Sequence, residues 1–246
     1  MRRRFFVEGF QPDSAVIRGE TAEHLGRVLR AEAGQLYELS DGQRVWLAKV
    51  ERVALSKRGD NAIEFSLVEP LASSEPALAI HLLISLIKFD RFEWCLEKAT
   101  ELGVSEIIPL IAARTDRPLA DAASKRQERW RRILLESAQQ SRRLRPPLLQ
   151  MALASEKAFV AHSAADWKIV LSERPDAPRL SKPAQTPAGA ATTAAFAIGP
   201  EGGWTETELG AAGAAGFVEA SLGGNILRTE TAVIASLAVI RFALAP

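Results

Sequence analysis

The sequence predicts an α/β protein in two parts: a small β-barrel over residues 1–72 and a mainly parallel sheet flanked by helices over residues 73–246. Three observations carry this. Beyond position 76, short apolar runs alternate with longer helical patterns, the rhythm of a parallel sheet. Before position 72, short strands are punctuated by Asp41-Gly42 and Arg58-Gly59-Asp60-Asn61, as in a small barrel. Between the two, residues 70–76, with Ser73 and Ser74, read as a linker.

In the first part, residues 21–30 carry Leu25, Val28 and Leu29 at helical spacing; 35–39 and 43–53 read as hairpin strands, and 62–68 alternates as a further strand. In the second, 81–88 is a continuous apolar run, expected of a strand buried on both faces. Residues 90–102 form a helix closed by Gly103, and 104–112 the next strand. A long helix over 124–141 is entered through a capping box of Ser124 and Gln127, with Trp130, Ile133, Leu134, Ser137 and Ala138 facing inward. Short strands at 148–153 and 168–171 flank a short helix. Residues 175–193, rich in Pro, Ala and Thr, read as a flexible loop. A strand at 194–198, a helix opened by Thr205 and Glu208 and stopped near Gly216, a strand at 217–222 and a helix at 229–244 complete the chain.

Composition narrows the function classes. With 47% hydrophobic residues a sizeable core can be buried. The net charge of +1 gives no global attraction to nucleic acid, so an RNA partner needs a local patch. One exists: residues 125–145 hold eight basic side chains against two acidic ones, and Arg2, Arg3, Arg4, Arg27 and Arg30 add to it. A solvated helix face accounts for part of the same pattern. The lone Cys95 excludes an internal disulfide or a thiolate zinc cluster. The start lacks the apolar core of a signal peptide and no run is long enough to span a bilayer, so a cytoplasmic protein is expected. His24, His81 and His162 are scattered without ligand spacing, and no metal is expected.

Two glycine-rich segments each leave a strand and enter a helix: Ile198-Gly199-Pro200-Glu201-Gly202-Gly203-Trp204, and Leu222-Gly223-Gly224-Asn225-Ile226-Leu227-Arg228-Thr229. Each is either a tight turn or a loop whose backbone approaches a ligand. Neither matches a P-loop or a dinucleotide fingerprint. Arg228 precedes a helix N-terminus, where the dipole disfavours a cation. It is therefore either a surface arginine or one with an anionic partner.

Together these motifs resemble the ribosomal RNA small subunit methyltransferase E family, uridine-N3 methyltransferases of 16S ribosomal RNA in the SPOUT class. The resemblance runs through Arg4-Phe5-Phe6, His24-Leu25, Val28-Leu29-Arg30, Lys88, Arg91 and Lys98-Ala99-Thr100-Glu101-Leu102-Gly103-Val104. It continues in Gln140-Ser141, Arg143, Gly199-Pro200-Glu201-Gly202-Gly203 and Ile226-Leu227-Arg228-Thr229-Glu230-Thr231-Ala232. It implies a PUA-like RNA-binding barrel, a C-terminal trefoil knot, S-adenosyl-L-methionine as cofactor, the small ribosomal subunit as partner and a homodimer. Carried over by residue, it implies cofactor contacts from Leu171, Gly199, Pro200, Glu201, Gly202, Gly203, Leu222, Gly223, Ile226, Leu227 and Thr229. RNA contacts are expected from Arg2, Arg4, Arg27 and Arg30 of the basic clusters and from Lys88, Arg91 and Arg143 of the shared motifs, and Arg228 is the catalytic candidate; Glu201 and Glu230 are the nearby carboxylates. The chain departs from the family at Phe89, Gly224 and Asn225. Two rival readings are a ribose 2′-O-methyltransferase of the same class and a non-catalytic assembly factor. The first is disfavoured because Ser221-Leu222-Gly223 stands where such enzymes carry Ser-Leu-Asn. The second is disfavoured because the cofactor loops are intact.

Overall fold

A computed structural model describes residues 3–56, 60–73, 78–180 and 192–243. The chain divides into two compact units: Met1–Glu75 with Ala138–Pro146, and Pro76–Ser137 with Pro147–Pro246.

The first unit contains β1 (Arg4–Phe6), β2 (Ser14–Arg18), α1 (Gly19–Glu23), a π-helical turn (His24–Val28), β3 (Leu36–Ser40), β4 (Val45–Ala54) and β5 (Ala62–Leu71). They form one sheet in the order β1-β3-β4-β5-β2, antiparallel except for the β1–β3 pair. The hairpin expected at Asp41-Gly42 is present: Gly42 has φ +85°, and the Asp41 carboxylate accepts from the backbone N–H groups of Gln43 and Arg44. Phe5, Leu25, Leu39, Ile63 and Phe65 fill the core. Pro70 and Leu71 belong to β5, not to a linker, because Pro70 pairs with Trp46 across the sheet. Ser74 and the Arg58-Gly59 turn lie outside the described residues.

The second unit comprises β6 (Ala79–Ser85), α2 (Phe89–Glu101), β7 (Glu106–Ile111), most of α3 (Arg117–Gln140), β8 (Leu148–Leu149), β9 (Leu153–Ala154), α4 (Ser155–Ala161), β10 (Trp167–Leu171), β11 (Thr193–Ile198), α5 (Glu206–Ala214), β12 (Val218–Ala220) and α6 (Thr229–Ala243). Its strands run in the order β12-β10-β11-β6-β7-β8, with β9 also on β7, and every pair is parallel. Alternate residues of the central strands face opposite layers: Leu82, Ile84, Phe196 and Ile198 lie in one core, Leu83, Ala195 and Ala197 in the other. That double burial is why β6 reads as an unbroken apolar run. The α/β class with a mainly parallel sheet is thus found as expected.

Helix α3 begins at Arg117, seven residues before the expected start, so Ser124 lies inside the helix and caps nothing. Gln127 is instead buried and donates from Nε2 to the Gln150 carbonyl. Among the described residues, no helix is long and apolar enough to cross a membrane.

Candidate functional site

The carboxyl ends of three neighbouring strands, β12, β10 and β11, come level in the sheet: Leu171 is in register with both Ile198 and Ala220. Ligands of open α/β sheets sit at such ends. Here the two glycine-rich loops leave the sheet and enclose a cleft of about 400 Å³. All eleven residues expected to touch a cofactor line it, from Leu171 through Gly199–Gly203 to Leu222, Gly223, Ile226, Leu227 and Thr229.

The loops are fastened to each other and to the sheet. Trp204 donates its indole N–H to the Leu171 carbonyl at 2.8 Å, and Thr229 donates its hydroxyl to the Gly199 carbonyl at 3.2 Å. A Cβ at Gly199 would stand 3.1 Å from the Trp204 indole, so glycine here lets the ring close over the strand end. Gly202 has a similar explanation: a Cβ would meet the Arg114 side chain at 3.2 Å, and Arg114 donates to the Gly202 carbonyl. These two glycines therefore serve contacts within the protein. Gly203 (φ +69°) and Gly223 (φ +135°) adopt backbone conformations that side chains disfavour, and a Cβ at Gly223 would meet no protein atom within 4 Å. Beyond the loop, Thr205 and Glu208 form the expected capping box of α5. The buried Glu208 carboxylate also accepts from the Ala113 N–H. Burial pushes its carboxyl up, but the backbone N–H groups of Thr205 and Ala113 outweigh this and hold it below the usual range.

Arg228 is exposed and does not line the cleft, although its neighbours Leu227 and Thr229 do. Arg91 stands within 3.9 Å of both Glu201 and Glu230, which brings those three sequence candidates together. Arg114 and Arg174 also line the cleft and were missed by sequence reading. Arg114 sits in the loop after β7, far from either glycine motif, and nothing local marks it. Arg174 follows a strand end and was findable on that ground.

Of the expected RNA contacts, Arg27, Arg30 and Lys88 are exposed, Arg27 pairing with Glu23 at 3.3 Å; Arg143 is half-buried. Arg2 lies outside the described residues. Arg4 needs correction. Its guanidinium is buried, donates twice to Glu38 (2.9 and 3.1 Å) and once to the Arg142 carbonyl (2.7 Å), and so holds the first unit together, with no face for phosphate. The basic stretch on α3 is partly neutralised as well, since Arg126 and Arg129 both pair with Glu93.

The histidines also depart from expectation. His81 and His162 are not scattered: their rings lie 5.5 Å apart, both against Glu106. Burial pushes the His81 imidazole down, while the contact with His162 holds the Glu106 carboxyl below its usual range.

The profile of the RNA methyltransferase domain family matches residues 74–241. The chain belongs to that family. It is 34% identical to the ribosomal RNA small subunit methyltransferase E of Synechocystis, over 98% of this chain and 77% of the relative. With the enzyme of the same name from Bacillus subtilis it shares 31% identity over 92% and 89%. Among solved structures, the ribosomal RNA small subunit methyltransferase E of Neisseria gonorrhoeae superposes with a TM-score of 0.85 at 29% identity, covering 99% of this chain and 98% of its own. That family member was crystallised bound to S-adenosyl methionine.

Proposed function

We propose that this chain methylates N3 of one uridine in 16S ribosomal RNA of the small subunit, with S-adenosylmethionine bound between its two glycine-rich loops. The convergence of those loops on one cleft at three strand ends carries the reading; the names of the family members and the ligand of the Neisseria relative support it. The residues fit such a ligand. Leu171, Ile198, Leu222 and Leu227 give apolar walls for a heterocycle, Glu201 and Glu206 offer carboxylates to positive charge, and the space beside Gly223 lies open. Bound there, S-adenosylmethionine supplies a methyl group on a cationic sulfur.

The rest of the chemistry belongs to the chain. Loss of the uridine N3 proton spreads negative charge over O2 and O4. A fixed cation beside those oxygens stabilises it, an effect worth about 3 kcal/mol when such a group is removed. Arg228, open to solvent between the cleft-lining Leu227 and Thr229, is assigned that role. Arg27, Arg30, Lys88 and Arg143 are assigned to phosphates, with Arg91 shared between phosphate and the Glu201–Glu230 pair. The resemblance further assigns a trefoil knot to the second unit, a PUA-like barrel to the first, a homodimeric state and a cytoplasmic location.

A methyl on N3 blocks the Watson–Crick edge, whereas a ribose methyl leaves it free. Reverse transcription of small-subunit RNA treated with the chain and S-adenosylmethionine is expected to stop one nucleotide before a single uridine. Read-through, with a ribose methylation found by nucleoside mass spectrometry, would overturn the N3 assignment.

A further inference from the structure

The His81–Glu106–His162 cluster lies at the opposite end of the parallel sheet from the cleft. His81 is near the start of β6, Glu106 opens β7, and His162 follows the last turn of α4. Its side chains are mostly buried, and one potential ligand atom from each lies within 4.8 Å of the other two. The methyl-transfer reading makes no use of it.

Three details fix which atoms face one another. The Nδ1 of His162 is 2.9 Å from the Ala158 carbonyl oxygen, which can only accept. Nδ1 therefore carries a proton, which makes Nε2, the nitrogen facing Glu106, the one that binds a metal when the ring is neutral. One oxygen of Glu106 accepts from the Gln150 side-chain amide, leaving Oε2 directed at both rings. The Nδ1 of His81 is buried and has no hydrogen-bond partner. The contacts from Oε2, 3.4 Å to His81 Nδ1 and 3.5 Å to His162 Nε2, are longer than good hydrogen bonds of about 2.7–3.2 Å. They match the edge of a tetrahedron whose centre is about 2.0–2.2 Å from each corner, an edge of about 3.3–3.6 Å.

We propose that His81 Nδ1, His162 Nε2 and Glu106 Oε2 form a binding site for a divalent transition-metal ion, with zinc the best match. Two imidazoles and one carboxylate are a zinc donor set. Both arms from Ala158 and Gln150 are the outer hydrogen bonds that orient such ligands. An adjoining cavity of about 510 Å³, lined by Leu153, Ala161, Ala165 and Thr193 among others, leaves room for water as a fourth ligand. The ion joins β6, β7 and α4, so its role is to brace the strand ends remote from the cleft.

The test is zinc titration of the full, metal-stripped chain against a chromogenic chelator. One equivalent is expected, with His162→Ala and Glu106→Gln each weakening uptake at least tenfold. No stoichiometric uptake, or an equivalent held unchanged by both variants, overturns the site. Should the variants fail to fold, imidazole NMR of the unsubstituted chain decides, because it has only three histidines. One equivalent of zinc must shift His81 and His162 and leave the exposed His24 unmoved; any other pattern overturns the proposal.

Discussion

Single residues set the chemistry that can be measured first. If Arg228 faces the developing uridine anion, Arg228→Ala lowers the single-turnover rate by on the order of a hundredfold and leaves cofactor affinity within about twofold. A variant with a near-normal rate would strip Arg228 of its role. Asp166 tests pH behaviour. Backbone N–H groups of Thr192 and Thr193, then their hydroxyls, all donate to one of its oxygens and hold its carboxyl at about 2. A folded-state value below the ordinary 3.8 means the contribution is full above 3.8 and is lost as pH falls through about 2. The melting-temperature gap between the natural chain and Asp166→Asn is therefore expected to be constant near neutrality and to close across that acid window. A gap unchanged at pH 2 would contradict it.

Elements show how local chemistry closes helices and where pattern reading stops. Helix α2 ends in a Schellman arrangement: Gly103 N–H bonds to Thr100 O and Val104 N–H to Ala99 O, with Gly103 at φ +83°. Arg241 of α6 then donates to the carbonyls of Leu102 and Gly103. A Cβ on Gly103 would stand 1.5 Å from an Arg241 nitrogen, so Gly103→Ala combines backbone strain with displaced charge-assisted hydrogen bonds. A loss of at least about 2 kcal/mol is expected in denaturant unfolding. Repeating it in an Arg241→Ala background should recover part of that loss, and strict additivity would exclude the coupling. This helix end was legible because glycine follows an amphipathic run. The same holds for the Thr205–Glu208 box and for both glycine loops, whose signals are contiguous. Ser124 misled because the capping pattern also occurs inside helices; the true start at Arg117 directly follows Asp116, a favoured N-cap residue type, with Pro118 in the first turn, a signal that the later Ser124–Gln127 pattern overshadowed. Phe89, a departure from the family, is explained by packing, for it meets the Trp130 ring edge-on at 5.9 Å and lies beneath Arg126. The His81–Glu106–His162 grouping was illegible because parallel strand order, which local pattern does not encode, brings residues 25 and more positions apart to one end of the sheet.

At the scale of the whole molecule, the clearest open surface is on α6. Val233, Leu237 and Ile240 are fully buried, whereas Val239 is 39% and Phe242 89% exposed. An apolar ring so exposed favours a covering partner. With a second copy as that partner, light scattering at micromolar concentration should give twice the chain mass, and Phe242→Glu should reduce it to one. A monomer mass for the unsubstituted chain would refute the dimer.

The first unit takes in residues 138–146, and this orders events during synthesis. Arg4 donates to the Arg142 carbonyl and Ser40 to the Leu144 carbonyl, so both acceptors emerge from the ribosome long after their donors. Strands β6 and β7 and helix α2 are translated in the interval. A nascent chain stalled at residue 75 would carry these two donors without their acceptors. The first unit can therefore begin folding early but close only when the second is already half made.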